Sequence, residues 1–285
     1  MDVHVFDGEV ELFAAGQEKR ALLAGDGFQV APGEDPFAID ADFDRFTDTA
    51  KLHQERWQDH QEAMLARDDL LLYYDFDSPQ IHENILINRA GRSGTGKING
   101  AVPVVGRTST KSGLLFEKRG DGVVIDLKSL SLGDGFTISM WVKPTDFSKS
   151  HMALLNSDGF EPGAIHFQIH DDGRLMTGIS ELTRFSSPRN SIETNVWQFV
   201  TVSWDLKNQQ ARLYLNGQPL QSTENSFSRT TPGTQANFGR CHLGFWSKPT
   251  YGHNRGFVGR MDEVMIFSSS LDASEVENLY ESSRP

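Results

Sequence analysis

Residues 136–144 read Phe-Thr-Ile-Ser-Met-Trp-Val-Lys-Pro, and apolar residues occupy every second position from Phe136 to Val142. An apolar residue at every second position is the period of a β-strand with one face in a core, because successive side chains point to opposite faces. The stretch therefore predicts a strand with a core face of Phe136, Ile138, Met140 and Val142 and an opposite face of Thr137, Ser139, Trp141 and Lys143.

Similar strand patterns recur from Leu70 to the C-terminus, separated by turn signals such as Asn216-Gly217. Because no helical segments alternate with them, they predict an all-β, two-sheet antiparallel sandwich of the jelly-roll type. A short helix is expected over residues 273–280, with Ser274 and Glu277 near its start as candidate capping residues. The predicted strands are 70–77, 114–116, 123–127, 136–143, 164–170, 175–179, 197–204, 211–215 and 261–267.

The N-terminal quarter of the chain has a different texture. Residues 2–36 read as short strands around the Asp7-Gly8 turn signal, and residues 42–68 read as one long helix. Its apolar and aromatic stripe favours packing on a sheet over a coiled-coil dimer, because two histidines interrupt the seam. We expect three regions: strands over 1–36, a helical linker over 37–69 and the sandwich over 70–285. The stripe consists of Phe43, Phe46, Ala50, His53, Trp57, His60 and Met64.

Composition narrows the classes of function. A net charge of −12 argues against nucleic acid as a partner, because phosphate recognition depends on Lys and Arg. Cys241 is the single cysteine, so an intrachain disulfide is excluded. No apolar run is long enough to cross a membrane, and no secretion signal is apparent.

The stretch Gly91-Arg-Ser-Gly-Thr-Gly-Lys97 has the spacing of a phosphate-binding loop. The next residue is Ile98, where that loop needs a Ser or Thr hydroxyl, and Gly100 and Pro103 disfavour the helix that would receive the phosphate. We therefore interpret it as a solvated loop between strands, with Lys97 as a loop lysine.

Several of these strand sequences resemble one family over about residues 70–285. The residues that carry the likeness are 136–144, 197–205, Leu213-Tyr-Leu-Asn-Gly217, Leu243-Gly244 and 257–267 followed by Leu271 and Glu275. They are similar to the laminin-G-like, concanavalin A-like jelly roll. The resemblance implies a lectin/glucanase-type sandwich with one concave and one convex sheet.

A second, shorter resemblance concerns the N-terminus. Residues 3–12, Gly16-Gln17 and residues 22–26 are similar to the C-terminal part of FecR-type anti-sigma proteins. That likeness implies an extracytoplasmic, periplasmic or cell-surface tail of a membrane-anchored sensor, with a membrane-bound signalling partner.

The residues do not favour hydrolysis. The resemblance implies that hydrolases of this family carry their carboxylates on one strand in an ExDxE or ExDxxE pattern, and that pattern does not occur here. The nearest pairs are Glu9/Glu11, outside the sandwich, and Asp262-Glu263, which are adjacent and therefore expected on opposite faces. No Ser/His/Asp constellation can be assigned either. We expect a protein that is not an enzyme.

A binding face can be predicted from the alternation. If strands 136–143, 164–170 and 211–215 share one sheet, their outward side chains combine aromatic platforms with hydrogen-bonding groups, which suits a sugar. The Gly-rich segment 244–256 is a second candidate, since loops often carry recognition. The alternative is that Trp141 is a packing residue and that Trp246 is tucked under its loop. The candidates are Trp141, His166, Gln168, His170, Arg212, Tyr214, Trp246, Tyr251, His253 and Arg255.

The resemblance also implies a calcium ion, which such jelly rolls often bind through oxygen ligands. Asp75, Asp77 and Asp262 are the carboxylates at the positions where the ends of the sheet meet in this fold. We therefore expect one structural Ca²⁺ there, with solvated surface acids as the alternative.

These observations favour a non-catalytic extracytoplasmic module that binds a glycan or another ligand. The alternative is a structural or protein-interaction domain, and a weaker one is a glycoside hydrolase. Solvent exposure of Trp141, Tyr214 and Trp246 separates the first two readings, because a ligand platform must be open.

Overall fold

The computed structural model describes residues 2–4, 9–12, 20–23, 26–29, 37–40, 55–77, 81–108, 111–128, 130, 132–147, 151–220, 225–226, 235–248 and 253–284. For residues 2–40, 225–226, 247–248 and 253–254 it describes the backbone only. The chain divides into two compact units, Met1–Asp59 and His60–Pro285.

The first unit contains five short strands: β1 (Asp2–His4), β2 (Glu9–Leu12), β3 (Arg20–Leu23), β4 (Asp26–Gln29) and β5 (Phe37–Asp40). They form a three-stranded antiparallel sheet in the order β1-β4-β5 and a separate hairpin of β2 and β3. Strand β5 occupies the first four residues of the expected helical linker, ahead of the helix predicted over residues 42–68. Helix α1 is described over residues 55–65, and the earlier part of the predicted helix lies outside the described residues.

The second unit is a sandwich of two antiparallel sheets, as predicted. Sheet I has the order β10-β11-β25-β13-β18-β19-β20, with β6 beside β25 and β21 beside β19. Sheet II has the order β17-β16-β15-β14-β22-β12-β9-β8-β7. The elements are β6 (Leu70–Tyr74), β7 (Ile81–His82), β8 (Ile85–Leu86), β9 (Gly96–Asn99), β10 (Val102–Val105), β11 (Ser112–Phe116), β12 (Gly122–Asp126), β13 (Gly135–Pro144), β14 (His151–Ser157), β15 (Ile165–His170), β16 (Leu175–Ile179), β17 (Thr183–Ser186), β18 (Gln198–Asp205), β19 (Gln210–Leu215), β20 (Gln218–Pro219), β21 (Asn225–Ser226), β22 (Arg240–Leu243), β23 (Ser247–Lys248), β24 (His253–Asn254), β25 (Gly259–Phe267) and helix α2 (Ala273–Ser283).

The main core lies between the two sheets and confirms the predicted inward face of β13. Phe136, Ile138, Met140 and Val142 are fully buried there. From sheet II, Ile165, Phe167 and Ile169 of β15 join the same cluster, so both sheets contribute alternate residues. The sequence analysis missed β14 and β22, two central strands of sheet II.

A second, smaller core covers the outer face of sheet I. Val276 and Leu279 of α2, with Met64 of α1, pack against Trp141, Phe199 and other residues of this face. Helix α2 begins with a capping box in which the Asp272 side chain accepts from the Glu275 amide and Glu275 reaches back to the Asp272 amide. The capping residues are therefore Asp272 and Glu275, in place of Ser274 and Glu277.

Two other sequence features are settled by the strand assignment. Gly91 to Thr95 form an irregular connection, but Gly96 and Lys97 belong to β9, so Lys97 is an exposed strand residue and not a loop lysine. Cys241 lies in β22 and is fully buried. No helix among the described residues is both long and apolar enough to span a bilayer.

Candidate functional site

The predicted binding strands do not share one sheet. Strands β13 and β19 belong to sheet I, whereas β15 belongs to sheet II. The outward side chains of β13 and β19 therefore lie on the opposite side of the sandwich from those of β15. The expected combined face of Trp141, His166 and Tyr214 is wrong.

The outer face of sheet I is closed by helices. Trp141 is 3% exposed and Tyr214 is 1% exposed. The Trp141 ring packs on Phe199 and Tyr280, with centroids 5.3 and 5.6 Å away, and its Nε1 donates to Ser283 Oγ at 3.1 Å. Trp141 is thus a packing residue beneath α2, and neither aromatic side chain offers an open platform.

Arg212 lies apart from the other candidates. It is half-buried on β19 and lines a small depression of about 140 Å³ with Asp205, Ser270 and Asp272. This depression is on the sheet I side, so Arg212 does not join the residues of β15.

The outer face of sheet II carries an open groove of about 490 Å³. Its floor consists of residues from β14 to β17, and its walls include the loop after β14 and the segment before β25. Three of the predicted residues, His166, Gln168 and Arg255, meet here. The lining residues are His151, Phe160, His166, Gln168, Met176, Thr177, Gly178, Ile179, Ser180, Glu181, Leu182, Thr183, Arg184 and Arg255.

Phe160 stands at the rim of this groove and is 41% exposed. The backbone on either side of it is anchored, because His166 Nε2 donates to the Gly159 carbonyl at 3.0 Å and Ser180 Oγ donates to the Phe160 carbonyl at 2.7 Å. The loop also requires Gly163, whose φ is +89° and whose added Cβ would lie 1.9 Å from the Gln235 carbonyl oxygen. An apolar ring is thereby held open to solvent by a fixed loop.

Arg255 forms the opposite side of the same cluster. Its guanidinium carbon lies 4.7 Å from the Trp246 ring centroid and 5.6 Å from that of Phe160. Its Nη1 donates to Gln168 Oε1 at 3.0 Å. Trp246 itself is fully buried, as in the tucked alternative, so it supports Arg255 from below and is not a platform.

His166 is a neutral side chain inside this cluster. Its ring stacks on Phe160 with centroids 5.1 Å apart, and burial together with the Arg255 charge lowers its pKa to about 4. Because Nε2 donates to a carbonyl, Nδ1 is an unprotonated acceptor, and among the described residues it has no hydrogen-bond partner. This nitrogen is shielded from solvent, so His166 is a neutral packing group beneath Phe160.

His170 lies next to the groove, in an adjoining cavity of about 360 Å³. Its Nδ1 is 2.6 Å from Asp171 Oδ1 and 2.9 Å from Asp172 Oδ1, and its ring meets that of His151 edge to face. Among the described residues, His170, Asp171 and Asp172 are the only group of side chains close enough to share a metal ion. Asp172 is also bound by Arg174 and Arg189, so this arrangement reads as an ion-pair network.

Two predicted residues cannot be positioned. Tyr251 lies outside the described residues, and His253 is described only through the backbone pairing of β24 with β23.

The predicted calcium ligands do not fit a calcium site. Asp75 pairs with Arg89, Asp77 pairs with Lys111 Nζ at 3.0 Å, and Asp262 Oδ2 lies 3.0 Å from Arg107 Nη1. Each carboxylate is thus already neutralised by a basic side chain, where calcium needs several oxygen ligands without such competitors.

Asp262 belongs to a buried charge cluster beneath the helices. The cluster consists of His60, Tyr73, Arg107, Asp262 and Glu263. Glu263 is fully buried and accepts from His60 Nε2 at 2.6 Å, Tyr73 Oη at 2.9 Å and Arg107 Nη2 at 2.6 Å. Burial alone would raise the pKa of Glu263, but Arg107 and His60 outweigh it and hold the pKa below its ordinary value. Burial raises the pKa of Asp262 to about 7, with Arg107 opposing the change.

Asp262 and Glu263 also correct the expectation that they face opposite sides. Glu263 has a φ of +50°, and the pairing of β13 with β25 shifts register between Ser139 and Trp141. This β-bulge lets both carboxylates contact the same guanidinium. They are 1% and 0% exposed, so they do not form an acid pair in an open groove.

The sequence analysis missed Phe160, Arg107 and the role of His60. The signal for Phe160 was present, since a lone aromatic residue stands in the loop sequence Ser157-Asp-Gly-Phe-Glu-Pro-Gly163. His60 and Arg107 gave no local signal, because their partner Glu263 is 203 and 156 residues away in the chain.

The sandwich resembles several solved structures. A search of the curated proteins returns no match. Trypanosoma rangeli sialidase in complex with a 2,3-difluoro-KDN ligand matches with a TM-score of 0.59 and 15% identity, over 82% of this chain and 39% of the sialidase chain. This chain therefore corresponds to well under half of that protein.

Two smaller structures show the same fold. Domain 4 of AbnA, an extracellular arabinanase from Geobacillus stearothermophilus in complex with arabinotriose, matches with a TM-score of 0.54 and 19% identity, over 74% of this chain and 98% of that domain. The binding domain of Paraclostridial Mosquitocidal Protein 1 matches with a TM-score of 0.55 and 17% identity, over 75% of this chain and 52% of that chain. At these identities the likeness concerns the fold.

The sequence itself matches a family model over residues 117–277, more than half of the chain. That range runs from the end of β11 into α2 and contains the whole sheet II groove. Together with the two-sheet architecture, this match shows that the chain belongs to the concanavalin A-like lectin/glucanase superfamily.

Proposed function

We propose that the protein is a non-catalytic carbohydrate-binding module whose ligand occupies the groove on the outer face of sheet II. The observation that carries this proposal is the pairing, in one groove, of the exposed ring of Phe160 with the hydrogen-bonding side chains of Arg255 and Gln168. Sugars present an apolar ring face and a rim of hydroxyls, and such a pairing suits both.

The structural neighbours support a carbohydrate ligand. AbnA domain 4 is in complex with arabinotriose, and the sialidase is in complex with a sugar analogue. A groove of about 490 Å³ lies within the range of roughly 300–1,000 Å³ typical of ligand pockets.

The proposed absence of catalysis is supported by the small number of carboxylates among the described lining residues of the groove. Glycoside hydrolysis commonly needs two of them flanking the bond, and Glu181 is the one acidic residue among the described lining residues. Release of reducing sugar from a panel of polysaccharides tests this part. Sustained release by the purified protein, lost in Glu181→Gln, would contradict it.

The binding proposal is tested on a glycan array with the full chain and Phe160→Ala. We expect binding of at least one glycan class and at least a tenfold loss of affinity in the variant, because the ring supplies the apolar contact. Val196→Ala removes another exposed hydrophobic side chain, 46% exposed and outside the groove lining, and is expected to bind as the wild type does. Equal binding by Phe160→Ala would contradict the proposed site.

The alternative of a structural or protein-interaction domain has its own support. Trp141, Tyr214 and Trp246 are all buried, which is the outcome expected if none of them is a ligand platform. Failure of every glycan to bind would favour this alternative.

We also propose an extracytoplasmic, membrane-anchored sensor role with a signalling partner, which rests only on the resemblance of residues 3–26 to FecR-type proteins. Fractionation of cells that express the full-length gene product tests it. Recovery with membranes, with the sandwich accessible to protease from outside the cytoplasm, is expected. Recovery in the cytoplasm would contradict it.

A further inference from the structure

The sheet II groove holds a basic side chain, Arg255, that has no acidic counterpart among the described residues. Arg255 is half-buried between Trp246 and Phe160, and its one described side-chain hydrogen bond goes to the neutral amide oxygen of Gln168. No carboxylate among the described residues pairs with it. Arg174 and Arg189 of this face both bind Asp172, and Arg184 is a second, exposed basic side chain in the groove lining.

Its neighbours define what an incoming group would meet. Gln168 uses its oxygen on Arg255, and its amide nitrogen has no acceptor among the described residues. The hydrogen bond of 3.0 Å between Arg255 Nη1 and Gln168 Oε1 holds the two side chains together, so the remaining guanidinium N–H groups and the Gln168 amide are neighbouring donors. Beside them lies the exposed ring of Phe160.

Resting on the proposed function, we propose that the groove selects sugars that bear a carboxylate, that is, uronic acids and related acidic sugars. The carboxylate would accept from Arg255 and from the Gln168 amide, and the ring face of the sugar would lie on Phe160. Carboxylate and guanidinium match in charge and in planar geometry.

Desolvation explains why a neutral sugar is disfavoured. Any ligand that covers Arg255 removes water from its guanidinium, and a neutral ring returns no opposite charge. A carboxylate replaces the lost water by a charge-assisted hydrogen bond. The rings of Trp246 and Phe160 shield this pair from solvent, which strengthens it.

The test compares matched ligands by titration calorimetry with the full chain. The probes are trisaccharides of galacturonic, glucuronic and mannuronic acid, the carboxyl-reduced neutral form of each, and a sulfated neutral trisaccharide. For at least one sugar we expect the acidic form to bind at least tenfold more tightly than its reduced form.

Two variants examine the two halves of the contact. Arg255→Gln removes the charge, and Gln168→Glu supplies an internal carboxylate at the position 3.0 Å from Arg255 Nη1. Both are expected to bring the acidic-to-neutral affinity ratio to within twofold of one. Lys207→Gln makes the same charge change as Arg255→Gln at a 71% exposed side chain outside the groove and is expected to retain the wild-type ratio. Circular dichroism confirms that each variant is folded. If Arg255→Gln does not fold, Gln168→Glu still tests the contact.

The outcomes separate the two proposals. Equal binding of acidic and neutral forms, unchanged by both variants, would overturn the acidic-sugar inference and leave glycan binding in place. Preference for the sulfated probe would overturn the assignment to carboxylates. Absence of binding by every acidic and neutral sugar would contradict the proposed function itself.

Discussion

Single residues in this protein solve the problem of burying an ionisable group in two ways. Glu263 keeps its charge, because His60, Tyr73 and Arg107 all donate to it. His166 gives up its charge, because burial and the nearby Arg255 charge lower its pKa more than the hydrogen bond to the Gly159 carbonyl raises it. Paired charge and neutral imidazole lead to different responses to mutation and to pH.

The buried charge cluster should be sensitive to loss of its basic member. Arg107→Met leaves Asp262 and Glu263 without the guanidinium that both contact. We expect the free energy of unfolding to fall by about 3–5 kcal/mol, as for other broken buried ion pairs. Urea unfolding measures it. Arg284→Met, which breaks an exposed pair with Glu281, is the control and should change stability by less than about 1 kcal/mol. Similar effects of the two substitutions would contradict this assignment.

His166 should make the fold sensitive to acid. Its pKa is about 4 in the folded protein and 6.5 in its unperturbed state, so between these values the unfolded chain binds more protons. The contribution of neutral His166 to the free energy of unfolding is therefore fully present above about pH 6.5 and is lost as pH falls toward 4. One pKa unit corresponds to about 1.4 kcal/mol, so the loss approaches about 3 kcal/mol.

His166→Gln tests this dependence. The variant should show a smaller fall in urea-unfolding free energy between pH 7 and pH 4.5 than the wild type. His82→Gln, at an exposed imidazole in β7, serves as the matched control. An unchanged pH profile in His166→Gln would exclude the proposed origin.

At the level of elements, β13 is the informative case, because both of its faces are buried. Its inner face packs in the main core and its outer face lies under α2. The strand is therefore buried on both faces although its sequence alternates between apolar and polar residues. The outer face of sheet I depends on α2 for its cover, and Leu279 is one of the residues that supplies it.

Leu279→Ala should therefore weaken the docking of α2. Leu279 is 4% exposed, and deleting a buried leucine side chain typically lowers stability by about 2–5 kcal/mol. Glu277→Ala, on the exposed side of the same helix, should change stability by less than about 0.5 kcal/mol. Thermal unfolding of both variants measures the difference, and equal midpoints would show that the helix does not stabilise the sheet.

The sequence predicted the inward face of β13 because alternation is a local property, and a local pattern can be recognised without knowing which residues pack against it. It left open whether Trp141 is a ligand platform or a packing residue, because the covering helix lies more than 130 residues further along the chain. It failed for Asp262 and Glu263 because strand alternation assumes regular pairing, and one residue with positive φ breaks that assumption. The groove was found in part: His166, Gln168 and Arg255 were predicted, but Phe160 and the division between two sheets depend on topology.

At the scale of the whole molecule, the sandwich builds its core from residues of the second unit. Both hydrophobic clusters are built from residues 64–279, and the buried charge cluster begins at His60. The sandwich should therefore be stable without the first unit, provided that the α1 residues that contact the sandwich are kept.

We expect a chain of residues 55–285 to unfold cooperatively and to retain the unfolding midpoint of the sandwich in the full chain. A chain of residues 66–285 lacks His60 and Met64 and should be less stable, since Glu263 loses a donor and the outer core loses a side chain. Differential scanning calorimetry compares them. Identical stability of the two truncated chains would argue that α1 contributes nothing to the sandwich.

Cys241 has a practical value that follows from its position in β22. The thiol is fully buried and burial raises its pKa, so the reactive thiolate form is suppressed. A maleimide dye should leave the native protein unlabelled without any need to replace this cysteine. A new cysteine at the rim of the groove would then be the single attachment point for a fluorophore, and its emission could report occupancy of the groove by unlabelled sugars.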